Sequence, residues 1–204
     1  MTGQYALRLG FSTIVAPSSS RGTLPLDVPS LAEDMKGAGY ATGIVGKWHV
    51  GFSMTAALPS SRGWDKAFNY YTGGMDYYSK SVGGPRNSHF DVHEMGAPDR
   101  DERHMSPEFW SGFIWQERAE SIVHEHASTG VDAPLFLYYA LQTPHSPMQV
   151  PDAYTQEAPC AAMSDEDRRI FCGMVRFVDE CAEKTHSLMR EELAGDDLVF
   201  IFHR

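Results

Sequence analysis

Cysteine is scarce in this chain: Cys160, Cys172 and Cys181 are the only three among 204 residues. Three unevenly placed cysteines do not make the dense disulfide framework of a small secreted scaffold. Cys172 and Cys181 lie nine apart on one predicted helix, too far to bridge each other. All three are therefore expected to pack as small buried hydrophobes. No stretch approaches the ~20 consecutive apolar residues of a membrane-spanning helix. Asparagine occurs only at Asn69 and Asn87, neither in N-x-[ST], so an N-glycosylation acceptor is absent. Met1 to Tyr5 is neither basic nor followed by a long apolar stretch, and is not expected to be a secretory leader. Positive charge is also in deficit, with 17 Lys plus Arg against 27 Asp plus Glu and a formal net charge of -10. Nucleic acid and anionic membrane surfaces are disfavoured as partners, because phosphate neutralisation needs a cationic face. An anionic small substrate stays open, since a pocket can be locally positive.

What is present argues for one folded domain. Hydrophobic residues make up 42%, including eleven Phe, nine Tyr and four Trp. Pro29 to Lys36 reads as a short helix, with Ser30 as cap, Glu33 completing a capping box and Gly37 or Gly39 as stop. Tyr40 to Val45 is a strand candidate, and helix, glycine turn and strand together are the usual unit of an α/β sheet. Gly51 to about Arg103 shows no sustained period and reads as an irregular, loop-rich stretch of the kind that lines a binding site. Ser106-Pro107-Glu108 resembles a helix start, with Trp115, Ala119, Ile122 and His126 recurring at helical spacing up to Gly130. Pro134 to Leu141 is a continuous apolar run, expected as a central strand buried on both faces. Ser164-x-x-Asp167 opens the longest helix, with Ile170, Met174, Phe177, Cys181, Thr185 and Leu188 on one face and Gly195 as its end. Leu198 to Phe202 is a last strand candidate.

Two strand ends carry the polar residues that ligand sites use. In open α/β sheets ligands bind beyond the C-terminal ends of the strands. Gly43-Ile-Val-Gly-Lys-Trp-His-Val-Gly51 ends one strand with Lys47 and His49, and Pro144-His145-Ser146-Pro147 follows the other. A fixed lysine supplies a point charge and three donors for an oxyanion. A histidine moves protons near neutral pH. The pattern suits a tetrahedral anion with proton transfer. The same residues are equally compatible with a turn histidine and a solvated lysine.

The motifs around these residues favour the first reading through a resemblance. Gly39-Tyr40-Ala41-Thr42 followed by Gly46-Lys47-Trp48-His49 resembles the sulfatase family signature G-Y-x-T-x-x-x-G-K-W-H. Leu24-Pro25 with Leu31-Ala32-Glu33 resembles L-P-x-x-x-x-T-L-A-E, and Arg62-Gly63-Trp64-Asp65 stands where the family has R-G-F-D. Asp76-Tyr77-Tyr78-Ser79 and the run from Phe136 to Pro151 are similar to the arylsulfatase B-like branch. The resemblance continues through Gly173-Met174-Val175 and Asp179-Glu180, in order along almost the whole chain.

That resemblance implies a three-layer α/β sandwich of the alkaline-phosphatase-like type, with an incomplete central mixed sheet. It implies hydrolysis of sulfate esters of aryl alcohols or sugars, with formylglycine and calcium as cofactors and a sulfated small molecule or glycan as partner. Lys47 would contact the sulfate and the formylglycine hydrate, His49 would take a proton as sulfate is expelled, and His145 would contact the sulfate or donate a proton to the leaving oxygen. Ser79 would lie near the sulfate, on a looser match. Relatives are secreted, periplasmic or lysosomal.

Other parts of the family pattern have no counterpart in these residues. Met1-Thr2-Gly3-Gln4-Tyr5 resembles the T-G-x-Y segment that follows the nucleophile motif C/S-x-P-S-R. Ser18-Ser19-Ser20-Arg21 falls downstream of it without the proline and is set aside, and none of the three cysteines has the required context. His203-Arg204 stands where the resemblance calls for calcium-binding Asp-Asn. Residues 1–204 are thus expected to be part of a catalytic domain, beginning after the nucleophile motif and ending before the metal ligands. The chain alone would be inactive, or else a non-catalytic anion-binding remnant. His89 with His93, and His124 with His126, lack a third ligand and are expected to be ordinary solvated residues. Asp99 to Glu102 is expected to be solvated. Tyr70, Tyr71, Tyr77 and Tyr78 either stack a ring near the site or simply pack.

Overall fold

A computed structural model describes residues 1–11, 21–83, 86–193 and 198–201. Helix α1 spans Leu31–Gly37 and begins as its sequence predicts: the Ser30 side chain accepts the Glu33 N–H while the Glu33 carboxylate accepts the Ser30 N–H. Buried Arg62 reaches the same Glu33, at 3.2 Å, and the Val28 carbonyl, at 2.7 Å. The L-A-E and R-G-W-D segments therefore form one structural unit. Strand β1 follows as Ala41–Lys47.

The stretch expected to be irregular instead builds most of the remaining sheet. It contributes β2 (Lys66–Tyr70), a small hairpin of β3 (Ser81–Val82) with β4 (His89–Phe90), then β5 (His93–Glu94) and β6 (Ala97–Pro98). Helix α2 is Glu102–Met105 and α3 is Ser111–Thr129. Strand β7 is Leu135–Ala140 and α4 is Glu166–Glu192. The five-stranded sheet has the order β6-β5-β2-β1-β7. Here β1 runs parallel to both β2 and β7, while β5 and β6 pair antiparallel, so the sheet is mixed.

The core lies on both faces of β1. On one face Val45 meets Phe68, Tyr70, Ile114, Trp115, Ala119 and Ile122, which seats α3. On the other, Ile44 packs with Ala32, Trp48, Trp64 and Ala67, which seats α1. A third cluster, with Trp110, Met174, Phe177 and Cys181, holds α4 behind α3. Removing a side chain such as Ile44 or Ile114 from water is worth about 1.5–3 kcal/mol. The layers are helix, mixed sheet and helix.

Several expectations are corrected. Strand β7 is an edge strand among the described residues, half-buried along its length with Tyr138 40% exposed, rather than central and buried on both faces. Helix α3 starts five residues after Ser106, because Ser106 instead closes α2. Asp165, not Ser164, caps α4 by accepting the Arg168 N–H at 2.8 Å. Leu198 to Ile201 form no strand, and Val199 and Ile201 are exposed. Ser18 to Ser20, Gly195, Phe202, His203 and Arg204 lie outside the described residues.

The cysteines are corrected as well. Cys160 and Cys172 form a disulfide, leaving Cys181 as the free, buried thiol. Between Cys160 and Cys172 the chain turns back into α4, bringing their Cα atoms to 5.5 Å.

Candidate active site

Strands β1, β2 and β7 all end on the same side of the sheet, and each end supplies part of one site. At β1 the exit is made by Gly46, with φ +97°, against which a Cβ would meet the Ala140 carbonyl oxygen at 2.0 Å. Only glycine fits where two backbones approach so closely. Asn69 on β2 donates to the Gly46 carbonyl at 3.1 Å and holds this bend. Lys47 follows, then the chain keeps bonding to β2 through Trp48 N–H to Tyr70 O (2.9 Å) and His49 N–H to Tyr71 O (3.2 Å). His49 takes the left-handed conformation, φ +49°, and the indole of Trp48 donates to Gly51 O at 2.9 Å to close the turn. The aromatic residue between Lys47 and His49 is thus the buried peg that aims its two neighbours.

Beyond β2 the chain runs Tyr71-Thr72-Gly73-Gly74, and both glycines lie against the candidate residues. Lys47 Nζ donates to the Gly73 carbonyl. A methyl group added at Gly73 would sit 2.7 Å from His49 Cε1, and one added at Gly74 would sit 3.0 Å from His145 Cε1. The structure brings Lys47, His49 and His145 to one diglycine turn. Burial holds the Lys47 ammonium below the ordinary lysine value of 10.5.

His145 arrives from β7 by way of Gln142. The Gln142 side chain is a buried junction: its Nε2 donates to Met75 O at 2.8 Å, and its Oε1 accepts from Ser111 Oγ at 2.7 Å and Trp115 Nε1 at 3.0 Å. The Tyr77 hydroxyl lies 3.1 Å from the carbonyls of both Gln142 and His145. His145 itself is exposed, with Nδ1 2.7 Å from Ser146 O. A carbonyl only accepts, so in this geometry Nδ1 carries the hydrogen and Nε2 is the ring's other nitrogen for proton exchange.

Ser79 stands apart from this turn. It is exposed, its hydroxyl donates to Asp76 Oδ1 at 3.0 Å, and no described hydrogen bond joins it to Lys47, His49 or His145. Burial raises Asp76, but hydrogen bonds from Ser79, Gln149 and Tyr78 outweigh it and hold the carboxyl below its usual range.

Tyr70, Tyr71 and Tyr77 are buried and serve packing, while Tyr78 is half-buried. Of the cluster expected to be solvated, Arg100, Asp101 and Glu102 are exposed, but Asp99 is buried and lies 2.7 Å from His104 Nδ1. His93 bonds Asp91 at 3.1 Å, and His126 bonds Ala133 O at 2.9 Å. Among the described residues no group of three or more His, Cys, Asp or Glu is placed to hold a metal ion. Neither the calcium nor the formylglycine that the resemblance implies is assigned to any of the described residues, and no step assigned below to this chain's own residues runs through them.

A mixed sheet between helical layers, with a lysine and two histidines gathered where the parallel strands end, makes this a three-layer α/β protein with a candidate site at that edge. The chain matches the family described as Sulfatase over residues 1–203, and it belongs to that family. It is 32% identical over 183 residues to arylsulfatase J of Mus musculus, covering 88% of this chain and 29% of that protein. It is 26% identical over 225 residues to N-acetylgalactosamine-6-sulfatase of Sus scrofa, covering 98% and 38%. The fold is that of solved sulfatases. The crystal structure of Ps i-CgsB in complex with k-i-k-neocarrahexaose aligns with TM-score 0.80 at 23% identity, over 97% of this chain and 44% of that one. PsFucS1 sulfatase from Pseudoalteromonas sp. aligns with TM-score 0.64 at 18% identity, over 94% and 40%. The alkaline-phosphatase-like sandwich expected from the motifs is thus the observed fold. The chain spans less than half the length of these relatives.

Proposed function

We propose that this chain binds the sulfate group of an aryl or sugar sulfate ester between Lys47, His49 and His145, as part of a sulfuric ester hydrolase. The observation that carries the reading is the convergence of those three side chains on Gly73–Gly74. A lysine ammonium has three donors, and Gly73 O takes one, leaving others for sulfate oxygens. Partial burial strengthens each of those contacts, because the local dielectric is below that of water.

In the hydrolytic reading His145 would stand as proton donor to the leaving alcohol oxygen and His49 as proton acceptor, while the oxygen nucleophile that forms the new bond to sulfur would be supplied by the family's formylglycine, for which no residue of this chain is assigned. No residue of the 204 matches the family's nucleophile motif, so this chain taken alone is read as binding sulfate esters without turning them over. The Cys160–Cys172 bond supports maturation in an oxidising compartment. No helix among the described residues is long and apolar enough to cross a membrane.

Calorimetric titration with inorganic sulfate tests the reading. Losing a charge-assisted contact costs about 1.5–3 kcal/mol, so Lys47→Ala is expected to weaken sulfate binding at least ~10-fold. Affinity should also fall as pH rises through the lowered Lys47 pKa, since the anion binds the protonated amine. Absence of binding, or binding indifferent to Lys47→Ala, would contradict the reading.

A further inference from the structure

The diglycine turn can organise three side chains only if something holds it still, and the sheet ladder does not. Pairing of β2 with β5 sets Asn69 opposite His93 and Phe68 opposite Glu94. That register, continued, puts Tyr71 opposite Asp91, but there the backbone ladder ends and a side chain takes over. Asp91 Oδ1 accepts the Tyr71 N–H at 2.9 Å and contacts His93 Nε2 at 3.1 Å. Its Oδ2 accepts the Thr72 N–H at 3.0 Å and the Thr72 hydroxyl at 2.6 Å. The carboxylate is buried, with its side chain 5% exposed. His93 in turn lies flat on the Tyr71 ring, centroids 4.1 Å apart. On the far side of the turn, the Met75 carbonyl is fixed by Gln142. Gly73 and Gly74 are thus suspended between two buried polar anchors.

We propose that Asp91 is a positioning residue for the sulfate site, acting through Tyr71 and Thr72 to set the Gly73–Gly74 turn against Lys47, His49 and His145. The inference rests on the reading of those three residues as the sulfate cradle. Asp91 needs no contact with the anion. Without its carboxylate, two backbone N–H groups lose their acceptor, and the turn is free to carry the Gly73 carbonyl away from the lysine.

Asp91→Asn is the informative variant. It keeps the shape but puts an amide donor where donors already converge. A control comes from Asp99→Asn, which perturbs a comparably buried carboxylate paired with His104 and has no described bond to the turn. Sulfate affinity of the full 204-residue chain is measured calorimetrically at a temperature where both variants stay folded. The ligand-free imidazole resonances of His49 and His145 are recorded alongside. The expected result is at least a 10-fold loss of sulfate affinity in Asp91→Asn with displaced His49 and His145 signals, and less than 2-fold in Asp99→Asn with those signals in place. Unchanged affinity in Asp91→Asn, or equal losses in the two variants, would overturn the role. Failure of the unsubstituted chain to bind sulfate would sink the functional reading; unmoved ligand-free His49 and His145 signals in Asp91→Asn would overturn the positioning of the turn by Asp91, and displaced signals would uphold it.

Discussion

A buried ammonium costs free energy unless its surroundings offset the lost hydration. Lys80 is fully buried, and its described hydrogen-bond acceptor is the Ser106 carbonyl. Burial, opposed only by the nearby Asp76 charge, lowers its pKa from 10.5 to about 8. Between those values the unfolded chain binds more protons at this position than the folded one. Lys80 therefore makes stability rise with pH from about 8 to 10.5, with no further gain above that window. In denaturant titrations at several pH values, Lys80→Met is expected to remove this slope and to be the more stable protein near pH 7. An identical slope in the variant would contradict the assignment. At the same scale, Lys47, His49 and His145 were legible because short motifs name them. Asp91, Gln142 and the glycine pair were not, since their importance lies in contacts to residues 19 or more positions away.

Among the elements, local signals read well where the deciding contact is local. The capping box of α1 is a three-residue matter, and it forms as its sequence says. Gly130 ends α3 in the left-handed conformation, again locally. The start of α3 was missed because Ser106-Pro107-Glu108 has a start-like composition, while tertiary demands assign it elsewhere: Ser106 O serves Lys80, and Ser111 N–H serves Tyr77 O. Strand β7 looked central because its residues are apolar throughout. One face packs on the core through Phe136, which stacks on Trp64 at 5.7 Å, but no further strand pairs with β7 among the described residues. The disulfide was missed because nothing in spacing alone pairs Cys160 with Cys172 rather than leaving both as packing residues. It closes a short loop onto the start of α4, with a sequence separation of 12. By loop-closure entropy such a link contributes roughly 3 kcal/mol. Cys160→Ala with Cys172→Ala is expected to lower the thermal midpoint by several degrees. Cys181, pushed up to about 12 by burial, should resist alkylation in the folded chain. A midpoint unmoved by the double substitution would contradict the structural role of the bond.

Taken whole, the molecule carries a net charge of -10 yet offers a lysine and two histidines at the point where its parallel strands end. In the proposed reading this acidic protein holds its anion by short-range hydrogen bonds at that turn rather than by long-range attraction. The Asp91 and Gln142 side chains anchor that turn on its two sides, and the helices on either face bury the sheet behind it. The direct test is a crystal structure of the chain grown with selenate, whose selenium locates the anion by anomalous scattering. The account predicts one selenate beside Gly73–Gly74, within hydrogen-bond distance of Lys47 Nζ and of both the His49 and His145 rings. A selenate bound elsewhere with that turn left empty, or one reached by Lys47 alone while the two rings face away, would contradict it.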